Sequence, residues 1–168
     1  MFLKKENKTS NSYVRNFVFG VEDSLVSTVG LLSGVAAAGM EKGTILLTGL
    51  VLIFVEAFSM AVGSFLSDQS AEEYAAKTDL PIMRSFRGAI IMFVSYFVSG
   101  FIPLAPYIVM IGNQAFWYSI IFSLASLFVL GAGGSYLSGV NPLKGGLQMA
   151  VIGGVAIGIG VSVGSIIA

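Results

Sequence analysis

The chain has 168 residues, of which 55% are hydrophobic and only 11% are charged, and its mean hydropathy is +0.88. A soluble domain has about 25% charged residues, so this composition excludes an ordinary soluble protein and predicts an integral membrane protein. Nine Lys and Arg residues balance nine Asp and Glu residues, so the net charge indicates no nucleic-acid partner. The chain has no cysteine and no histidine, which excludes disulfides and thiolate or imidazole metal ligands.

Five segments are long and apolar enough to cross a membrane, at about 20 residues each. The predicted spans are 17–39, 43–67, 88–111, 115–137 and 145–167. We therefore predict an all-α membrane protein, with residues 1–168 in a single membrane domain. The first apolar stretch is longer than a signal-peptide core, so we interpret it as a retained span.

Basic residues in the short loops predict the orientation. With the N-terminus in the cytoplasm, eight of the nine basic residues are cytoplasmic and only Lys42 is outside. Five spans then place the C-terminus outside. Pro103 and Pro106 are expected to kink the third span or to end it early, because each proline removes a backbone donor.

Small and polar residues recur on one face of the first span at spacings of three and four, and we call them the small-residue seam. The seam consists of Asn16, Gly20, Asp23, Ser27, Gly30, Gly34 and Ala37. Small residues let helices approach closely in lipid, so the seam could meet its symmetry mate in a two-fold homodimer and bring two Asp23 side chains together.

Carboxylates inside the first span indicate a cation pathway, because an ionised carboxylate in hydrocarbon costs at least ~2.5–3.5 kcal/mol. Asp23 lies on the seam and is assigned to the pathway, although it could also be a hydrogen-bonded packing residue. Glu22 points about 100° away around the helix. It is a weaker candidate that could reach the interface, support the site or carry a proton.

The second span carries Glu56 near its middle, followed one turn later by Met60. A carboxylate and a thioether at this spacing form a plausible half-site for a divalent transition metal. Two carboxylates with one sulfur favour Fe²⁺ or Mn²⁺ over Cu⁺ or Zn²⁺. The alternative for Met60 is that it only fills core space.

The polar loop 68–87 contains an acidic group close to the end of the second span, formed by Asp68, Glu72 and Glu73. These side chains could form an entry site that attracts cations from the cytoplasm. A solvated acidic helix end explains them equally well. On the fourth span, the serines at 119, 123 and 126 are expected to bond across helices or to carbonyls.

Four stretches of this sequence resemble the vacuolar iron transporter family, and the resemblance extends in order over nearly the whole chain, with five spans in each case. They are RNFVFGVEDSLV at 15–26, EAFSMAVGSFLS at 56–67, PLAPY at 103–107, and NPLKGGLQM at 141–149 followed by IGG. The Ser-Met element of the second stretch and the last stretch are the most specific.

This resemblance implies a homodimeric five-helix transporter that exports Fe²⁺, and in many members Mn²⁺, from the cytoplasm in exchange for protons. It places the pathway between the two first helices of the dimer. The family's metal-binding Asp, Glu and Met match Asp23, Glu56 and Met60. It implies no cofactor beyond the transported ion, and no partners except lipid and a second copy.

Two departures from the family pattern stand out. The usual Asp-Gly is Asp23-Ser24 here, and the family's long acidic helical domain between spans two and three is reduced to residues 68–87.

The chain could instead carry Mn²⁺ alone or a monovalent cation, or be a non-transporting scaffold or metal sensor. The sequence contains no nucleophile–base arrangement and no phosphate-binding loop, so it gives no support to an enzymatic function. A prokaryotic cytoplasmic membrane is the expected location.

Overall fold

The structure, a computed structural model, describes the backbone of residues 2–77, 82–110 and 112–168. Side chains are described from residue 12 onward within these ranges, except that of Glu72. Five α-helices make up the described fold, and each contains a stretch long and apolar enough to cross a membrane. The helices are α1 Phe2–Ala37, α2 Lys42–Ala76, α3 Met83–Val109, α4 Asn113–Leu137 and α5 Pro142–Ile167.

The helices run alternately up and down, and α1 lies at the centre of the bundle. It contacts α3 and α5 extensively, and it also contacts α2 and α4. In the described residues, α2 packs mainly on α3, and α4 packs mainly on α5. One end of the bundle holds Arg15, Arg84, Arg87 and Lys144, and we call it the basic end. Lys42 lies at the opposite end.

The five predicted spans are confirmed as helices, but α1 and α2 are much longer than their spans. They have 36 and 35 residues, which is about 50 Å at 1.5 Å per residue, whereas a bilayer core is about 30 Å thick. Both extra lengths lie at the basic end, since α1 begins there and α2 ends there. Lys77, whose φ of 54° is left-handed, ends α2.

The two prolines of the third span lie inside α3, which continues to Val109. The expectation that they would end the helix early is therefore wrong. Pro103 is fully buried, and its carbonyl accepts a hydrogen bond of 2.7 Å from the Ser119 hydroxyl of α4. The neighbouring helix thus binds a carbonyl in the proline segment, as is common in membrane helices. This contact also confirms that Ser119 bonds across helices.

Lys42, the exception to the predicted charge distribution, caps the end of α3. Its ammonium donates to the carbonyls of Ile108 and Met110, at 2.9 and 3.1 Å. Carbonyls at a helix C-terminus carry partial negative charge and have no partner within the helix, so a cation there is stabilising. Gly112 follows with a φ of 71°, and α4 starts at Asn113, where the sequence predicted a break.

The small-residue seam of α1 packs inside the protomer. A Cβ on Gly20 would come within 3.1 Å of the Met92 carbonyl of α3, and a Cβ on Gly34 within 2.7 Å of the Gly160 carbonyl of α5. Gly30 lies against Ala156 in the same way, at 3.3 Å. The seam is therefore a packing surface, as predicted, but its glycines pack against α3 and α5 of their own chain. A dimer through the first span stays a prediction, and it requires the part of α1 that these contacts leave open.

Candidate metal pathway

Asp23, Glu56 and Tyr96 lie on three neighbouring helices, near enough to one another for their charges to interact. Asp23 on α1 and Glu56 on α2 are both half-buried and close enough for their charges to interact. Tyr96 on α3 is fully buried, and both carboxylates act electrostatically on its hydroxyl. Three polar residues spread over more than 70 positions of sequence therefore lie near one another within the membrane-spanning body.

Contacts between α1 and α3 fix the level at which this group forms. The Ser24 hydroxyl donates to the Tyr96 backbone carbonyl at 2.7 Å, and the Ser27 and Tyr96 hydroxyls are 2.8 Å apart. Gly100 lets α2 approach at the next turn of α3, since a Cβ there would lie 2.7 Å from Ile53 and 2.9 Å from Ser24. The close packing of the three helices therefore positions both carboxylates.

Glu22 faces a different region from Asp23. It lines a cavity of about 1150 Å³ between the first half of α1, the end of α4 and the start of α5. Polar groups at the basic end of this cavity include Tyr13, Ser138 and Gln148. Asp23 is absent from this lining, although the charges of Glu22 and Asp23 interact. The structure thus separates the two adjacent carboxylates as their helical spacing predicts.

Met60 lies one helical turn beyond Glu56 and is half-buried. Ser59 and Gly63 on the same helix are exposed, and a Cβ on Gly63 would meet nothing within 4 Å. This part of α2 is therefore uncovered by the protomer itself. The Ser64 hydroxyl nearby is buried and has no hydrogen-bond partner in the described part of the chain.

A single protomer supplies few acidic ligands at this level. Among the described residues, no group of three or more Asp and Glu side chains lies close enough together to hold one ion. Divalent ions such as Mg²⁺ and Ca²⁺ take six or more oxygen ligands. A divalent ion beside Asp23 and Glu56 would therefore need additional ligands, from neutral side chains, from water or from a second copy.

The acidic group proposed as an entry site is partly engaged in contacts between helices. Asp68 is mostly buried and accepts from Arg15 at 2.6 Å, from Asn16 at 3.3 Å and from Ser12 at 3.4 Å. Glu73 accepts a hydrogen bond from the Gln69 side chain. The side chain of Glu72 lies outside the described residues. The entry role of the group stays a prediction, and Asp68 has a clear structural role in joining α1 to α2.

We expect Asp68→Ala to destabilise the protein by about 1–3 kcal/mol, because it leaves the buried Asn16 amide without its acceptor. Arg15→Ala, the matched control, should cost only about 0.2–1 kcal/mol, since the Arg15 side chain is 66% exposed and water screens the pair. Thermal unfolding in detergent micelles measures both. Equal losses would show that the ion pair, and not the buried amide, is the stabilising contact.

Tyr96 and Ser27 are the members of this site whose roles were not predicted. Ser27 was identified only as part of the small-residue seam. A signal for Tyr96 does exist in the sequence, because tyrosine in membrane proteins favours the interfaces, whereas Tyr96 lies near the middle of its span. A buried phenol hydroxyl usually has a hydrogen-bond partner. Its position thus indicated a polar contact, but the sequence did not indicate which helix would provide it.

An apolar groove of about 560 Å³ runs between the later halves of α1 and α5, and we call it the outer groove. Its lining residues on α1 and directly after it are Val26, Ser27, Gly30, Leu31, Gly34, Val35 and Ala38. The glycine contacts described above form its floor. Because Ser27 also bonds to Tyr96, the groove adjoins the contact between these two hydroxyls.

Comparison with known proteins gives consistent results over most of the chain. A model of the VIT family matches residues 14–81 and 75–165. The vacuolar iron transporter of Centaurea cyanus is 24% identical over 91% of this chain and 87% of its own length. Vacuolar iron transporter 1 of Arabidopsis thaliana is 22% identical, over 88% and 83%. Vacuolar iron transporter homolog 2 of Oryza sativa subsp. japonica is 27% identical, over 86% and 85%.

These alignments also show a difference in length. The alignment with the Centaurea protein has 213 positions against the 168 residues of this chain, so at least 45 positions belong to the relative alone. The two matches to the family model overlap at residues 75–81, in the connection between α2 and α3. This agrees with a connection that is short here and long elsewhere.

Proposed function

This chain belongs to the VIT family, and from that premise we propose that it exports Fe²⁺, and also Mn²⁺, from the cytoplasm in exchange for protons. The names of its relatives support iron transport, and hence a transporter and not an enzyme. The ion, the direction and the coupling to protons are our proposal for this chain. We assign Asp23, Glu56 and Met60 as its principal metal ligands.

The observation that carries this proposal is that Asp23 and Glu56 lie near enough inside the bundle for their charges to interact. Each carboxylate raises the cost of placing its helix in lipid, and together they repel each other. Either a proton or a cation relieves that repulsion. A site with this property favours binding one or the other, which gives a physical basis for exchanging a metal ion for protons.

We propose that a second copy of the chain completes the site. Val26, Leu31 and Val35 of α1 line the outer groove and are only half-buried in the protomer. Ser59 and Gly63 of α2, close in sequence to Glu56 and Met60, are exposed. Covering these surfaces with a symmetry mate would bring a second set of carboxylates toward the first. Such an arrangement supplies the ligands that one protomer lacks.

The membrane in which the protein resides stays a prediction. The names of the relatives describe those proteins as vacuolar, whereas the sequence alone suggested a prokaryotic cytoplasmic membrane. In either case the predicted orientation places the basic end, with Arg15, Arg84 and Arg87, in the cytoplasm. Export then moves the ion from the basic end toward the end that holds Lys42.

The direct test is Fe²⁺ and Mn²⁺ flux in proteoliposomes containing the purified protein, with and without an imposed pH gradient. We expect flux of Fe²⁺ that increases with the gradient and that Mn²⁺ reduces by competition. Movement of protons in the opposite sense, followed with a pH-sensitive dye, should accompany it. Monovalent cations and Ca²⁺ in the same assay measure how selective the pathway is.

Two results would contradict the proposal. Flux of a monovalent cation without flux of any divalent metal would assign a different substrate to the same carboxylates. Absence of all cation flux, from protein shown to be folded by its thermal unfolding transition, would favour the alternative of a membrane scaffold or metal sensor. In that case equilibrium metal binding would separate the sensor from the scaffold.

A further inference from the structure

Tyr96 is held by α1 at both its main chain and its side chain. Ser24 donates to its backbone carbonyl at 2.7 Å, and its hydroxyl lies 2.8 Å from that of Ser27. The ring itself is fully buried. Contacts from two adjacent turns of one helix leave the phenol little freedom, so the Tyr96 hydroxyl is a fixed point in the bundle.

The hydroxyls of Ser27 and Tyr96 form what we call the hydroxyl pair, which feels the charges of the carboxylates and borders the outer groove. Ser27 follows Asp23 by four residues, so it lies one helical turn further along the same face. The charges of both Asp23 and Glu56 act on Tyr96. Ser27 is only half-buried and lines the outer groove. The Ser27 oxygen is therefore accessible from the groove and lies one helical turn from the Asp23 carboxylate.

A serine hydroxyl binds a cation through its lone pairs and must turn its proton away. Either member of the hydroxyl pair can be the donor. When Ser27 donates to Tyr96, its proton is directed into the protein and its lone pairs remain for an ion. An approaching cation selects this arrangement, because it repels the proton and attracts the lone pairs.

We propose that Ser27 is a neutral oxygen ligand of the transported divalent ion, and that Tyr96 is the positioning residue that holds its hydroxyl in the binding orientation. This inference rests on the proposed function, and it assigns the site a member beyond the carboxylates and Met60. A neutral ligand adds coordination without adding negative charge. The ion is therefore bound more tightly without the slow release that a third carboxylate would cause.

The test compares Tyr96→Phe, Ser27→Ala and the double variant in proteoliposome flux. Tyr96→Phe keeps the buried ring and removes one oxygen. We expect each single variant to raise KM for Fe²⁺ about tenfold, as loss of groups that support metal ligands does, with the maximal rate changed much less. The double variant should be no worse than Ser27→Ala, because Tyr96 acts through Ser27. Ser27→Thr keeps the hydroxyl and should restore most of the affinity.

Tyr107→Phe is the matched control. Tyr107 is also buried in α3, but it lies eleven residues further along, about 16 Å from Tyr96. We expect no change in KM. Binding of Mn²⁺ to the detergent-solubilised protein, measured by electron paramagnetic resonance, should weaken in Tyr96→Phe and not in Tyr107→Phe. This second readout is independent of transport.

The outcomes separate this inference from the function on which it rests. If the wild-type protein transports Fe²⁺ and both single variants keep its KM, the ligand role of the hydroxyl pair is wrong and the proposed function stands. Additive losses in the double variant, or an equal loss in Tyr107→Phe, would also overturn it. If the wild-type protein neither binds nor transports a divalent ion, both proposals fail together.

Discussion

Replacing Glu56 by glutamine is expected to reduce Fe²⁺ flux to the level of protein-free liposomes while the protein stays folded. Glutamine has nearly the shape of glutamate but carries no charge and cannot exchange a proton with a metal ion. The half-buried position of Glu56 and its interaction with Asp23 make that charge central to the site. Asp23→Asn should have the same effect for the same reason. Flux in proteoliposomes under a pH gradient is the measurement.

Glu41→Gln is the matched control for this experiment. Glu41 is exposed and lies just before α2, on the side of the bundle opposite the basic end. The same chemical change there should leave flux near that of the wild-type protein. Because both in-membrane substitutions remove a charge from an apolar setting, they should preserve or raise the unfolding temperature. Full transport by either Asp23→Asn or Glu56→Gln would refute the assignment of these ligands.

Gly160→Ala is expected to destabilise the protein by about 1–3 kcal/mol, because it overpacks the contact between α1 and α5. The new Cβ would overlap the Gly30 carbonyl and would lie 2.9 Å from its carbon atom. Main-chain atoms in two packed helices cannot move independently, so the helices must separate. Since α5 also forms one wall of the outer groove, transport should fall as well. Thermal unfolding in micelles gives the stability and proteoliposome flux gives the activity.

A second pair of glycines on α5, four residues apart, provides the control for this prediction. Gly154 and Gly158 show the same four-residue spacing as Gly160 and Gly164, but a Cβ on either would meet nothing within 4 Å. Gly158→Ala should therefore be neutral or stabilise the helix by up to about 1 kcal/mol, since alanine favours helix more than glycine does. A loss in Gly158→Ala equal to that in Gly160→Ala would mean that the protomer contact is not the cause.

Much of this architecture is readable from the sequence because lipid imposes simple requirements. A span must be long and apolar, and its backbone must be satisfied within a helix. These rules are sufficient for the five helices and for the break before Asn113. They do not give helix ends in water, where α1 and α2 continue well beyond their apolar stretches. There the contact of Arg15 and Asn16 with Asp68 supports the extensions, and such long-range pairing has no local signal.

The candidate site, too, can be predicted from the sequence only in part. Asp23 and Glu56 can be identified from sequence because each is costly in lipid, whatever its neighbours are. Their meeting in space depends on which faces of α1, α2 and α3 pack together. The small-residue seam predicted close packing, yet small residues do not specify a partner. The choice of α3 for Gly20 and of α5 for Gly34, and the arrival of Tyr96 beside Ser27, are properties of the assembled bundle.

The end of α2 and the start of α3 are held together at the basic end. Ser85, near the start of α3, donates to the Gln69 side chain of α2 at 3.2 Å, so the two helices are tied together before the chain leaves the bundle. Whatever is inserted beyond that tie is attached to the membrane body at two adjacent points. We therefore expect that a longer segment placed between α2 and α3 would leave the membrane body intact.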